Sequence, residues 1–217
     1  RVAEVDVRRD VALQVRVGTR DLAQLGLGDI AAFPFLQAPD ARGVKDGLGL
    51  LGELGAVKEP KGKTVELTKV GRELARLPIE PRFGRMLLES KKHDLVREVM
   101  IIVAGLTIQD PRERPLSKRA QADQSHSRFA DPTSDFLSLL NLWNYLEEQQ
   151  KKLSSSAFRR LCKNEFLNYL RVREWQDLIK QLKSIAKPLD IIPGNAKVNP
   201  DGIHQCLLAG LLSQIGL

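Results

Sequence analysis

The chain has 217 residues, 42% of them apolar and 28% charged, with a formal net charge of +7. Apolar residues occur throughout, enough to bury a sizeable core, which excludes a disordered chain. No stretch reaches the ~20 apolar residues needed to span a bilayer, and the two cysteines, Cys162 and Cys206, are too few for a disulfide scaffold.

At about 100–200 residues per domain, one or two domains are expected. The start, Arg1-Val2-Ala3-Glu4-Val5-Asp6, has no initiator Met and no apolar signal core, so the chain reads as a fragment of something longer. The sparse cysteines fit a reducing, cytoplasmic setting. With His93, His126 and His204 they offer no metal-ligand spacing, and no metal site is expected. The positive charge is local. Residues 1–150 hold 23 basic and 22 acidic side chains, whereas residues 151–187 hold 10 basic and 3 acidic. Such a block is the distribution of a polyanion-binding surface.

In chain order, residues 1–25 alternate like a strand at Val5, Val7, Val11, Leu13, Val15 and Val17, and Leu22, Leu25 and Leu27 suggest a short helix. A turn follows at 26–30. Phe33-Pro34-Phe35 is an extended apolar anchor, because proline biases its predecessor away from helix. The spacing of Val44, Leu48, Leu51 and Leu54 predicts a helix over 40–54, ended by Gly55. A β-hairpin is expected over 57–67 with its turn at 60–63, then a helix capped by Thr68 and stopped by Pro78 and Pro81. Helix, helix and hairpin suggest a winged-helix module.

Beyond Arg82 the pattern is helical: a short helix over 83–89, then 95–106, apolar nearly all round and therefore central and buried. Residues 110–131 read as a long loop rich in proline and charge. Ser134-Asp135 caps the next helix, Ser154 a shorter one, and 164–186 is expected as the longest. A linker over 188–200 and an apolar helix over 202–216 close the chain. No internal repeat is visible. The fold class expected is mainly α, a winged-helix module over 1–78 followed by an all-helical bundle over 79–217.

Two glycine patterns are decoys. Gly47-Leu48-Gly49-Leu50-Leu51-Gly52 has dinucleotide-binding spacing, yet it sits inside a helix with no strand before it. Gly62-Lys63-Thr64 resembles the end of a P-loop, yet Val57 stands where the first glycine belongs. No catalytic triad spacing or DEAH box is present, so no catalytic residue is expected.

On the helix over 164–186, Val172, Trp175, Leu178, Ile179, Leu182, Ile185 and Ala186 form one face. Tyr169, Arg173, Gln176, Lys180 and Lys183 fall opposite, with Arg159, Arg160 and Lys163 just upstream. A row of cations can track phosphates while an aromatic ring offers a stacking plane. A solvated helix face is the plainer alternative.

Several segments together resemble the accessory region of bacterial DEAH-box ATP-dependent RNA helicases. LGLGDI (Leu25–Ile30), FPF (Phe33–Phe35), LGELGA (Leu51–Ala56), LTKVG (Leu67–Gly71) and LPIEPR (Leu77–Arg82) are similar to their winged-helix region. VREVMIIVAGLTIQDPRERP (Val96–Pro115) and RFADPTSDFLSLLNLW (Arg128–Trp143) are similar to their ratchet-like helicase-associated domain, and NEFLNYLRVREWQDLIKQL (Asn164–Leu182) to the helices that follow. Residues 1–20 fit poorly. The resemblance implies a fragment that ends before an expected OB-fold. Its parent's RecA-like motor domains would bind ATP and Mg2+, and the fragment itself would hold no cofactor.

The resemblance also implies one wall of a single-stranded RNA channel, with Phe33 and Phe35 in interdomain packing. Arg114, Lys118, Arg119, His126 and Arg128, in the loop over 110–131, join Arg159, Arg160, Lys163, Tyr169, Arg173, Gln176, Lys180 and Lys183 as RNA-binding candidates. Arg112, beside Asp110, is expected to brace the loop; Asp135 to cap a helix; Asn141 and Asn144 to make polar contacts or face solvent. The partners implied are single-stranded RNA and the motor domains and OB-fold of the same parent chain, with no membrane. The alternative reading is a protein-interaction module whose basic patch docks an acidic partner. A winged-helix regulator reading DNA with residues 40–54 ranks last, because Arg42 and Lys45 face Asp40, Asp46 and Glu53 there.

Overall fold

The computed structural model describes residues 41–58, 66–194 and 198–214. The expectations placed on 1–40, including Phe33 and Phe35, and the hairpin turn at 60–63, lie outside the described residues. The chain forms two compact units, Arg1–His93 with His204–Leu217, and Asp94–Ile203. This division differs from the boundary expected at 78/79.

The fold is mainly α. In the first unit, α1 (Ala41–Glu53) contains the glycine pattern of residues 47–52 in its interior, which removes the dinucleotide reading. It ends where Gly55 takes a left-handed φ of +66°. Val57 and Leu67 form an antiparallel bridge, and the Lys58 N–H donates to the Glu66 carbonyl at 2.9 Å. Thr68 then caps α2 (Lys69–Ala75) by accepting from the Gly71 N–H, as its sequence position predicts. Pro81 does not stop a helix; it starts α3 (Pro81–Lys92), because the first helical position needs no backbone donor. This helix is longer than the segment expected over 83–89. Leu54, Leu74, Leu77, Met86 and Leu87 fill the unit's core.

The second unit is built around α4 (Val96–Thr107), whose residues from Val99 to Ala104 are all buried, as its unbroken apolar pattern requires. α6 (Asp135–Lys152) and α8 (Tyr169–Ala186) pack against it. The Trp175 indole donates to the Ile101 carbonyl at 2.9 Å and lies 5.0 Å from the Trp143 ring. Between α4 and α6 the expected loop is partly helical: a 3-10 turn at Leu116–Lys118 leads into α5 (Arg119–Ser127). Its sequence hides it, since only Ala122 and His126, four residues apart, are buried.

The longest helix expected, 164–186, starts five residues later than its sequence suggests, as α8 (Tyr169–Ala186). α7 (Ser155–Asn164) ends where Phe166 takes φ +56° and the Leu167 N–H returns to the Cys162 carbonyl at 2.8 Å. That is the closing geometry a glycine usually supplies. The freed strand-like residues pair with the segment before α5. The Glu113 N–H donates to the Phe166 carbonyl, and the Asn168 N–H to the Pro111 carbonyl, each at 2.7 Å. Asn168 then caps α8, its Oδ1 accepting from the Leu170 and Arg171 N–H groups. The last apolar helix is also shorter than expected, α9 covering Pro200–Leu208.

Candidate nucleic-acid interface

Three segments of the second unit converge on an open groove of about 860 Å³. α7 supplies Arg159, Arg160 and Lys163; the 3-10 turn supplies Lys118; the first turn of α8 supplies Tyr169. The break at 165–168 makes this possible, because a continuous helix would carry Tyr169 away from α7. The Tyr169 ring stands edge-on to Phe158 at 6.2 Å, with the Arg159 guanidinium 5.7 Å from its centre. It is half-buried, held by these two neighbours while its remaining surface faces the groove.

Three of the groove cations carry no paired counter-charge. Lys118, Arg160 and Lys163 are exposed and make no ion pair among the described residues. Arg159 and Lys163, four apart on α7, and Arg160 and Lys163, three apart, are like-charge neighbours that cost a helix a few tenths of a kcal/mol.

Most other candidates are already engaged. The Arg114 Nε pairs with the Asp123 carboxylate at 2.5 Å, and that hydrogen bond holds the Asp123 carboxyl below its usual range. Arg112 grips Asp110 through Nε and Nη2, at 3.0 and 2.8 Å to its two oxygens, and so braces the turn as expected. Burial alone would raise the Asp110 carboxyl, but the bonds from Arg112 outweigh it and lower it. Lys180 pairs with Asp177 at 3.0 Å and Arg173 donates to the Gln176 amide oxygen at 3.3 Å. Arg119 and Lys183 are exposed but do not line the groove.

Two expectations are corrected. His126 is not on the surface: its ring is buried, with Nε2 3.0 Å from the Glu165 carbonyl oxygen. Gln176 is buried too, its amide donating to Gln150 at 2.7 Å, because α6 covers that side of α8. Arg128 is exposed but engaged by the same region. Its guanidinium lies 4.6 Å from the Phe129 ring and 4.5 Å from the Tyr145 ring, and it pairs with Glu165. Asn141 donates to the Phe129 carbonyl and Asn144 accepts from Arg97. Ser134, not Asp135, supplies the capping oxygen of α6.

The reading from sequence missed Glu165 and Tyr145. The Tyr145 hydroxyl donates to Glu165 at 2.8 Å; burial first, and then this bond, push the phenol up to about 12. The signal was present: Glu165 is the one acid between residues 151 and 173. Among the described residues no group of three His, Cys, Asp or Glu side chains could hold a metal ion, and no helix is long and apolar enough to cross a membrane.

Residues 80–139 match the family model of the helicase associated domain (HA2), ratchet-like. This stretch is a helicase-associated, ratchet-like domain. The match lies inside the helical region expected over 79–217. The chain is 55% identical over 197 residues to the ATP-dependent RNA helicase HrpA of Escherichia coli, covering 90% of this chain and 15% of that protein. It is 51% identical over 199 residues to the HrpA homolog of Haemophilus influenzae, with the same coverage. The DExH-box ATP-dependent RNA helicase DExH3 of Arabidopsis thaliana is 30% identical over 83% of this chain and 15% of its own length. The chain therefore spans about 15% of the length of these curated relatives. The expected resemblance to the DEAH-box RNA helicases holds: this is an HrpA-like sequence bearing their helicase-associated domain.

Proposed function

We propose that this region forms one wall of the single-stranded RNA path of an ATP-dependent DEAH-box RNA helicase. The groove grips the strand while motor domains elsewhere on the parent chain bind ATP and Mg2+ and drive translocation. Unpaired Lys118, Arg160 and Lys163 around the Tyr169 ring carry this reading. Phosphates lie against the cations and release counterions, and a base stacks on the ring; neither interaction reads sequence. The Val57–Leu67 bridge supports a winged-helix reading of the first unit, which would brace the motor domains.

The test is a titration of labelled single-stranded RNA against the intact helicase with Tyr169→Ala. Base stacking predicts a loss of about 1–3 kcal/mol in binding; unchanged affinity with lowered stability would reduce Tyr169 to a packing partner of Phe158. The alternative, docking of an acidic protein, is favoured by two exposed leucines, Leu170 in the groove and Leu116 in the turn before α5, 73% and 94% exposed. Leu116→Ser, outside the groove lining, would then weaken partner binding and leave RNA affinity intact.

A further inference from the structure

Among the described residues, Glu113 is the one acid lining a groove that carries Lys118, Arg159, Arg160 and Lys163, and it forms no ion pair there. A carboxylate in that place repels phosphate and opposes what the cations do. It is nevertheless held firmly. The Glu113 N–H donates to the Phe166 carbonyl at 2.7 Å, and the Asn168 Nδ2 donates to Glu113 Oε1 at 2.7 Å. Asn168 is fixed in turn, because its Oδ1 accepts the Leu170 and Arg171 N–H groups, which leaves its Nδ2 end for Glu113. The second carboxylate oxygen, Oε2, has no hydrogen-bond partner among the described residues and is open to solvent. Asn168 Nδ2 also keeps a second hydrogen.

We propose that Glu113, oriented by Asn168, accepts a hydrogen bond from a ribose 2′-hydroxyl and so makes this groove prefer RNA to DNA. The inference rests on the reading of the groove as a nucleic-acid surface. An ionised carboxylate oxygen only accepts, so its ligand must bring a donor. On a single strand the donors are base amino and imino groups, which change with sequence, and the 2′-hydroxyl, which recurs at every nucleotide and is missing from DNA. A strand that moves through the groove always presents the hydroxyl. That hydroxyl is an acceptor as well, and suits the free amide hydrogen of Asn168. Asn168 and Tyr169 are consecutive, so a base stacked on the ring brings its sugar toward the Asn168–Glu113 pair, while phosphates seat on the cations of α7.

The experiment titrates the intact helicase, parent and Glu113→Gln, with cytosine-rich and uracil-rich strands made as RNA, as 2′-fluoro RNA and as DNA. Glutamine keeps an oxygen for Asn168 but puts an amide that cannot accept in place of Oε2; the fluoro sugar lacks the hydroxyl donor. The parent should prefer RNA to both other polymers, and Glu113→Gln should cut each preference by about two- to tenfold, the worth of one hydrogen bond. Loss of the negative charge tightens all strands alike and cancels in these ratios. Arg160→Gln/Lys163→Gln should instead weaken every strand by the same factor, with thermal unfolding as the folding control for both variants. Ratios unmoved by Glu113→Gln, or moved for one base composition only, overturn the inference, and the groove reading stands if the double variant weakens binding. A parent that binds RNA no tighter than 2′-fluoro RNA overturns it without any variant. No loss on any strand in the double variant overturns the groove reading and the inference together.

Discussion

Gly105 on α4 faces the indole of Trp175 on α8 so closely that a Cβ there would stand 2.9 Å from Cζ2 and 3.2 Å from Cε2. The indole cannot retreat without surrendering its bond to the Ile101 carbonyl and its packing on Trp143. Overpacking of this kind costs about 1–3 kcal/mol, against a helix-propensity gain of about 1 kcal/mol for replacing glycine. Gly105→Ala should therefore lower the urea midpoint. Gly49→Ala should raise stability by up to about 1 kcal/mol, since Gly49 lies exposed in α1 with open space where the Cβ would go.

Asn168 holds the break between α7 and α8. Asn168→Ala removes the cap and the bond to Glu113, at a cost of about 1–2 kcal/mol. Asn168→Asp keeps the capping oxygen but sets a second carboxylate against Glu113, so it should recover only part of the loss. Chemical unfolding of the three proteins checks both statements.

The caps were the most legible part of the fold. Thr68, Ser134 and Ser154 each announce a helix start, and each side chain accepts the expected backbone N–H. A new helix was expected from 164, but the gap at 165–168 was not legible, because Phe166 occupies the left-handed position without the glycine or asparagine that marks such ends. α5 was hidden by its polarity. The basic block of 151–187 was visible as charge, but the partition of its members into paired and unpaired was not. Lys180 finds Asp177 within the block, whereas Arg160 and Lys163 find no acid among the described residues. The block's Glu165 is taken by Arg128 from a segment that sequence spacing does not bring near.

Tyr145 makes stability depend on alkaline pH. Its phenol is raised by burial and by its bond to Glu165 from 10.0 to about 12, so the folded state keeps a proton that the unfolded chain releases. This contribution is complete below pH 10 and is lost as pH rises through about 12. Tyr145→Phe should lose about 0.5–1.5 kcal/mol at neutral pH. It should also show a shallower fall in stability across the alkaline window. Equal slopes for the two proteins would contradict the assignment.

Cys162 and Cys206 are both buried, and burial pushes each thiol up to about 11. The thiolate is the reactive form. Alkylation by iodoacetamide at pH 8 should be slow in the native protein and should proceed at the rate of unfolding. Rapid native-state modification of either residue would show that its helix opens more readily than its packing implies.

The most direct measurement of the proposed function is the salt dependence of single-stranded RNA binding by the intact helicase bearing Arg160→Glu/Lys163→Glu. The control, Lys69→Glu, reverses an exposed charge at the first residue of α2, where a carboxylate suits the helix N-terminus. The groove variant should flatten the log K against log salt slope by about 0.7 for each phosphate no longer neutralised, equally for unrelated RNA sequences, while the control keeps the parental slope. A parental slope in the groove variant would contradict the assignment and leave the α7 cations an ordinary solvated face.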